Sequence, residues 1–198
     1  IIVSPGAAAN INDEDITANE ELIRGSKVFM TQLEQSLDAA GTALSFAKGG
    51  GAITILNPAP AQPLGEDILK LCDFVTPNEI EAEQITGIPV KSIIDAEIAA
   101  GKLLEKGAKA AVITLGEQGA LFKDKNQVIH QPSYEVGPVV ETTGAGDAFN
   151  GGLAVALAEE MPIDKALRFA CATASISVTR QGTAPSMPDR NEIEALLK

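Results

Sequence analysis

A short run of small residues ends in an acid at residues 142–147, which read Thr-Thr-Gly-Ala-Gly-Asp and precede a helical pattern. Small residues leave backbone N–H groups free of side-chain cover. The first turn of a helix leaves its N–H groups unpaired and carries about half a unit of positive charge. Gly144, Ala145 and Gly146 therefore predict an anion hole suited to a phosphoryl group. Asp147, beside that hole, is predicted to accept a proton from an attacking hydroxyl.

Other interpretations of this segment remain open from the residues alone. A dinucleotide-binding loop would have a third glycine where Phe149 stands, an earlier place in the chain and a ribose-binding acid further on. A Walker A loop would have a lysine, which is missing here. A glycine-rich turn capped by Asp147, with no ligand at all, requires nothing beyond the residues present.

A second polar segment, Thr-Pro-Asn-Glu-Ile-Glu, occupies residues 76–81 between a predicted strand and a predicted helix. Asn78 and Glu81 are thus expected at the carboxyl ends of the strands, where α/β sheets bind ligands. Their oxygens, one helical turn apart, suit a hydrated Mg²⁺ and a phosphate oxygen. The pair fits a helix N-cap with a capping box equally well, and the two roles are compatible.

Two further segments carry weaker signals. The glycines of residues 114–119 would let a flat base or a ribose approach the backbone, although a hairpin entry has the same pattern. Residues 180–186, after the last long helix, form a loop rich in free carbonyl oxygens. With an acid such as Glu141 these oxygens could bind a monovalent cation, while a plain helix-ending loop is the simpler interpretation.

The hydrophobic pattern predicts the scaffold that positions these segments. Short apolar runs bounded by Gly, Pro and Asn predict buried parallel strands at residues 27–33, 52–56, 72–76 and 110–115, and a further strand ending at Val140. Helical periods predict helices over residues 37–47, 79–85 and 95–106, and two long ones starting near Gly146 and Pro162. Residues 119–123 and 127–131 predict a hairpin. We expect one three-layer α/β/α domain over residues 1–198, with a mostly parallel sheet.

Charge and composition argue against several classes of protein. A net charge of −12 disfavours a nucleic-acid surface, but it is compatible with a nucleotide held by backbone N–H groups and a metal. Two distant cysteines and one histidine exclude a Cys/His zinc site, and a disulfide is not expected. With no apolar run near about 18 residues and no signal peptide, we expect a cytoplasmic protein that binds no membrane.

The chain begins Ile-Ile-Val at residues 1–3, without a methionine. These residues are typical of a strand already in progress. We therefore expect the natural protein to start earlier and this chain to be a fragment of it.

Together these segments resemble the ribokinase family of carbohydrate kinases, also called the PfkB family, over essentially the whole chain. The resemblance rests on residues 57–61 (Asn-Pro-Ala-Pro-Ala), 76–79, 112–116 and 142–147, and the last of these is similar to the family signature. Residues 57–61 look more like ribokinases than like fructose or adenosine kinases.

The resemblance implies in-line transfer of the ATP γ-phosphate to a primary hydroxyl of a small sugar, ribose at O5 before others. Asp147 would deprotonate that hydroxyl, the amides from Gly144 to Asp147 would hold the phosphate in transit, and Glu34 would contact the sugar. The alternatives are a kinase of the same family for another sugar or nucleoside, and a nucleotide-binding regulatory module without catalysis.

The resemblance also implies sites for the nucleotide and for metals. Mg²⁺ and the phosphates would be organised by Asn78 and Glu81, and the nucleotide would be lined by Thr114, Gly116 and Gly119. A K⁺ site, mostly of backbone carbonyls, would use Glu141, Thr143, Ser177, Arg180, Gly182 and Ser186, although the family usually has aspartate where Glu141 stands. A family N-terminal half, with sugar contacts and a lid that often pairs subunits, is missing from this sequence, so a homodimer is expected only of the full-length protein.

Overall fold

Within residues 6–198, six strands form one sheet, and their order across the sheet follows their order along the chain. The computed structural model describes residues 6–198, so the strand predicted at residues 1–3 lies outside the described residues. The strands are β1 (Val28–Thr31), β2 (Ile53–Leu56), β3 (Phe74–Val75), β4 (Ala110–Thr114), β5 (Ala120–Asp124) and β6 (Val128–Gln131). Strands β1 to β4 pair in parallel, and β5 and β6 add an antiparallel hairpin. The predicted mostly parallel sheet and its hairpin are confirmed.

Helices connect and cover these strands. They are α1 (Asp13–Ala18), α2 (Glu20–Arg24), α3 (Leu37–Gly50), α4 (Glu66–Leu69), α5 (Glu79–Thr86), α6 (Ile93–Glu105), α7 (Ala145–Ala158), α8 (Ile163–Ser177) and α9 (Arg190–Leu196). Helix α6 begins two residues before the predicted start because Ser92 caps it, accepting a hydrogen bond from the Asp95 N–H at 3.2 Å. The short helices α1, α2, α4 and α9 are not predicted by the hydrophobic pattern.

The two faces of the sheet bury separate hydrophobic cores. In β4, Ile113 belongs to the core under α3, α5 and α6, whereas its neighbour Val112 belongs to the core under α7, α8 and α9. In β2, Leu56 belongs to the first of these cores and Ile55 to the second. Successive side chains of a strand point to opposite faces, so a strand that is apolar throughout is covered on both sides. This confirms the predicted α/β/α layers.

The strand predicted to end at Val140 is wrong. Val139 and Val140 are exposed, and Pro138 before them has no N–H for a strand ladder. The N–H groups of Val140 and Glu141 donate instead to the carbonyl oxygen of Val178, at 2.8 and 3.2 Å. The segment is therefore fastened to the end of α8 and reaches the start of α7 without joining the sheet.

Among residues 6–198, no helix combines the length and the apolar character that crossing a lipid bilayer requires.

Candidate active site

The first turn of α7 presents unpaired backbone N–H groups. Gly144 precedes the helix with a φ of 83°, and a Cβ there would lie 3.2 Å from the methyl carbon of Thr183, so glycine is needed at this turn. The Ala145 N–H donates to Thr142 at 3.1 Å. The N–H groups of Gly144, Gly146 and Asp147 find no acceptor among the described residues. The predicted anion hole therefore has three free donors, and Ala145 contributes none.

Asp147 is exposed in that first turn, and one of its carboxylate oxygens has a protein partner. The side-chain amide of Gln32 donates to Asp147 Oδ1 at 3.0 Å. Gln32 follows directly after β1, at the carboxyl edge of the sheet. Gln32 was not predicted as a site residue, because it falls inside the strand expected over residues 27–33, whereas the observed strand ends at Thr31.

A buried polar network holds the same turn from below. Asn150, 3% exposed, donates to the carbonyl oxygen of Gly146 at 3.0 Å and accepts from the Thr76 hydroxyl at 2.7 Å. Asn57 donates to the carbonyl oxygen of Thr76 at 2.9 Å. The ends of β2 and β3 are thus joined to the first turn of α7. Asn150 was not predicted, because its partner Thr76 lies 74 residues away along the chain.

Three cavities in the described part of the chain border the first turn of α7: a groove of about 320 Å³ beside α9, and two others. The smaller, about 220 Å³, is lined by Met30, Thr31, Gln32, Asn57, Asp147 and Asn150. The larger, about 1240 Å³, is lined by Gly116, Glu117, Gln118, Ser133, Tyr134, Glu135, Val136, Gly137, Val139, Thr142, Ala145, Ala174, Ser175 and Val178. The larger volume exceeds that of typical small-molecule pockets. Of its walls, sequence reasoning predicted only Gly116 as a nucleotide contact, because the loop after β6 carries no motif.

Asn78 and Glu81 form a capping box at the start of α5. Asn78 Oδ1 accepts from the Glu81 N–H, and Glu81 Oε2 accepts from the Asn78 N–H, each at 2.9 Å. Burial raises the pKa of the Glu81 carboxyl, although the Asn78 hydrogen bond opposes that shift. Thr114 lies alongside at the end of β4, where its N–H donates to Pro77 at 3.0 Å. The capping role is confirmed, and the Mg²⁺ and nucleotide roles stay predictions.

Like Thr114, Asn78 and Glu81, the predicted contacts Gly119 and Glu34 line neither the smaller nor the larger of these two cavities. Gly119 has a φ of 89°, and a Cβ there would lie 2.0 Å from the carbonyl oxygen of Gln131. The entry to the β5–β6 hairpin therefore accounts for this glycine, and its predicted nucleotide contact stays a prediction. Glu34, two residues beyond Gln32, is exposed and does not line the smaller cavity. Its predicted sugar contact also stays a prediction.

The residues predicted for K⁺ surround the loop after α8. Glu141 Oε2 accepts from the Gly182 N–H at 2.8 Å, so the acid and the loop are brought together. The carbonyl of Ser177 accepts from the Arg180 N–H, and the Arg180 guanidinium pairs with Glu192 of α9. The Ser186 hydroxyl donates within the loop at 2.6 Å, whereas Thr143 is exposed. K⁺ binding by this group stays a prediction.

Other candidate metal and nucleophile sites do not appear in the described part of the chain. Residues 6–198 contain no group of three or more His, Cys, Asp or Glu side chains arranged to hold a metal ion. Cys72 and Cys171 are buried and free, and burial raises the pKa of each thiol to about 12. Neither is therefore a nucleophile near neutral pH.

The sequence profile of the pfkB family carbohydrate kinases matches residues 1–190. This chain belongs to the pfkB family. Among similar proteins, the ribokinase of Haemophilus influenzae is 39% identical to this pfkB chain over 194 residues, covering 97% of the chain and 62% of the relative. The deoxyribokinase of Salmonella typhi is 35% identical over 198 residues, covering 100% of the chain and 64% of the relative.

Solved structures give the same result for the fold of this pfkB chain. A structure of Arabidopsis thaliana ribokinase complexed with ribose and ATP matches with a TM-score of 0.91 at 31% identity, covering 100% of the chain and 64% of that protein. Thermotoga maritima ribokinase matches with a TM-score of 0.87 at 40% identity, covering 99% and 64%. The chain thus spans 62% and 64% of the length of the two curated relatives above.

Proposed function

We propose that the complete gene product transfers the γ-phosphate of ATP to a primary hydroxyl of a small sugar, with ribose as its substrate. The observation that carries this proposal is the position of the first turn of α7 between the two cavities. Ala145 lines the larger cavity and Asp147 lines the smaller one. A phosphoryl group that passes from one cavity to the other meets the free N–H groups of that turn.

The larger cavity would take the nucleotide and the smaller one the hydroxyl end of the sugar. Asp147 would accept the proton of the sugar hydroxyl. At the same time the hydroxyl oxygen would bond to the γ-phosphorus, and the bond from that phosphorus to the leaving ADP oxygen would break. The N–H groups of Gly146 and Asp147, with the positive end of the 14-residue helix α7, would stabilise the charge on the phosphoryl oxygens.

Two cations would assist this reaction. Glu81 keeps Oε1 free of protein hydrogen bonds among the described residues, so Asn78 and Glu81 fit a Mg²⁺ that keeps several of its waters. Mg²⁺ would neutralise charge on the nucleotide phosphates. K⁺ would bind backbone carbonyls around Glu141 and the loop after α8, where it would steady the turn that carries the anion hole.

Ribose is favoured over other sugars by the ribokinase relatives and by the Arabidopsis ribokinase structure, which contains ribose and ATP. A second candidate is 2-deoxyribose, because the deoxyribokinase of Salmonella typhi matches the whole chain at 35% identity. A homodimer and a cytoplasmic location for the complete gene product stay predictions, and sedimentation and cell fractionation would test them.

The first test is sugar-dependent formation of ADP by the complete gene product. We expect turnover with ribose, ATP and Mg²⁺, and faster turnover when K⁺ replaces Na⁺. Turnover with 2-deoxyribose but not with ribose would support the kinase activity and contradict ribose as the substrate. ATP binding without turnover on any sugar would favour the regulatory module and contradict the proposal.

Asp147→Asn tests the base. Asparagine keeps the shape of the side chain but accepts no proton, so we expect kcat to fall by about 10²–10⁴-fold. The Kd for ATP, measured by calorimetry, should stay nearly unchanged because the amides of the turn remain. A wild-type kcat for the Asp147→Asn protein would contradict the assignment of Asp147 as the base.

A further inference from the structure

The contact between Gln32 and Asp147 joins two parts of the chain that are 115 residues apart. It is a hydrogen bond from a neutral amide to a carboxylate oxygen, Oδ1. The other oxygen, Oδ2, accepts no hydrogen bond from the described residues. The carboxylate therefore has one oxygen held by the protein and one left for a ligand.

The backbone around Gln32 is held on both sides. The carbonyl oxygen of Thr31 accepts from the Asn57 N–H at 3.0 Å, and the Leu33 N–H donates to Ala59 at 2.9 Å. The Gln35 side chain donates to the carbonyl oxygen of Gln32 at 2.8 Å and to the Thr31 hydroxyl at 2.6 Å. The backbone that carries Gln32 is thus held in place by hydrogen bonds, and the position of its side-chain amide next to Asp147 is fixed.

Few charged groups compete for Asp147. The smaller cavity that it shares with Gln32 has no other titratable side chain in its walls. On the opposite side, α9 contributes Arg190 to a groove that also touches Asp147. Arg190 is already paired with Glu159 at 2.6 Å and with Glu194 at 2.8 Å. Gln32 is therefore the direct side-chain partner of Asp147 among the described residues.

We propose that Gln32 is a positioning residue for the base: its amide fixes Asp147 Oδ1 and leaves Oδ2 to take the substrate proton. A neighbouring like charge disfavours the ionised form of an acid. A base must be ionised before it can accept a proton. This inference rests on the proposed kinase function.

The test compares Gln32→Glu and Gln32→Leu in the complete gene product, with kcat/KM for ribose measured across a series of pH values. Gln32→Glu puts a second carboxylate beside Asp147, so the acid limb of the profile should move up by about one pH unit or more. The two carboxylates would then titrate as a pair. Gln32→Leu removes the donor without adding charge, so it should lower kcat about tenfold through loss of positioning. KM for ATP should change little in either variant.

Gln127→Glu is the control for added charge, because Gln127 is exposed in the turn of the β5–β6 hairpin. Its pH profile should match that of the wild type. Profiles of both Gln32 variants that coincide with the wild type would overturn the inference, even if Tm falls, since Gln32 would then act only in packing. A wild-type protein without sugar-dependent turnover would instead overturn the proposed function, and this inference with it.

Discussion

At the scale of the residue, two side chains hold Asp147 and the turn that carries it, and each is hydrogen-bonded to a different atom. Gln32 holds one carboxylate oxygen, and Asn150 holds the carbonyl of Gly146 in the same turn. Because Asn150 is 3% exposed and both ends of its amide are bonded, the turn rests on a group whose bonds are protected from water. The helical turn that carries the exposed Asp147 is therefore rigid, which suits proton transfer at a defined position.

Asn78 has a confirmed structural role as a helix cap and a predicted role in organising Mg²⁺ and phosphate, and substitution separates the two. Asn78→Ala removes the cap of α5 and should lower the free energy of unfolding by about 1 kcal/mol. Asn78→Ser keeps a capping oxygen but removes the amide, so stability should stay within a few tenths of a kcal/mol of the wild type. If Asn78 also organises Mg²⁺ and phosphate, Asn78→Ser should raise KM for MgATP or lower kcat. Denaturant unfolding and steady-state kinetics measure the two effects, and wild-type kinetics for Asn78→Ser would leave Asn78 as a cap alone.

At the scale of the element, α7 packs closely on α8, and its first turn meets the carboxyl edge of the sheet. A Cβ on Gly152 would lie 2.7 Å from the hydroxyl oxygen of Thr173 and 3.0 Å from the Cα of Ala170. The two helices therefore approach each other through this glycine. Neighbouring Gly151 is different, because a Cβ there would meet no atom within 4 Å.

This pair of glycines gives a matched test of the helix contact. Gly152→Ala should lower the free energy of unfolding by about 1–3 kcal/mol, because α8 contributes backbone to the contact and must shift. Gly151→Ala should leave stability unchanged or raise it by up to about 1 kcal/mol, since alanine is the better helix former. Thermal unfolding of the two variants measures the difference. Equal Tm values for both would mean that α7 and α8 are not in close contact at Gly152.

At the scale of the whole molecule, the sheet is tied together at the end opposite the candidate site by Asp73. Its Oδ2 accepts from the N–H and the hydroxyl of buried Thr54, at 3.0 and 3.1 Å, and its Oδ1 accepts from Lys109 at 3.2 Å. Burial works against ionisation of this carboxyl, but the hydrogen bonds from Thr54 and Lys109 outweigh it. The pKa of Asp73 therefore lies below its ordinary value of 3.8.

This shift predicts how stability depends on pH. A depressed pKa in the folded state means that the contribution of Asp73 is present above the ordinary value and is lost as the pH falls through the folded pKa. Asp73→Asn should cost about 1–3 kcal/mol at neutral pH, because Thr54 and Lys109 lose a charged acceptor and an NH2 donor replaces one of its two oxygens, and the difference from the wild type should shrink in strong acid. Denaturant unfolding over a pH series measures it. Glu83→Gln, at an exposed position of α5, is the control, and a pH-independent gap for Asp73→Asn would contradict the assignment.

The amino-acid sequence by itself determined the layers, the parallel strands and the glycine-rich turn before α7, because these depend on local periods and on residues such as Gly144. Apolar strands like β4 can be stable only with cover on both faces, and the order of strands and helices leaves few arrangements. The capping box of Asn78 and Glu81 was likewise readable, since its two members are three residues apart.

Only the tertiary structure decided which distant groups meet. Gln32 contacts Asp147 across 115 residues and Thr76 contacts Asn150 across 74, and no local pattern records such pairs. Val140 does not join the sheet, because its N–H group donates to the carbonyl oxygen of Val178 at the end of α8. A local run of valines predicts a strand and gives no sign of that contact. The physical reason is the same in each case: a local period depends on the geometry of one segment, whereas a contact between segments depends on how the whole set of helices and strands packs.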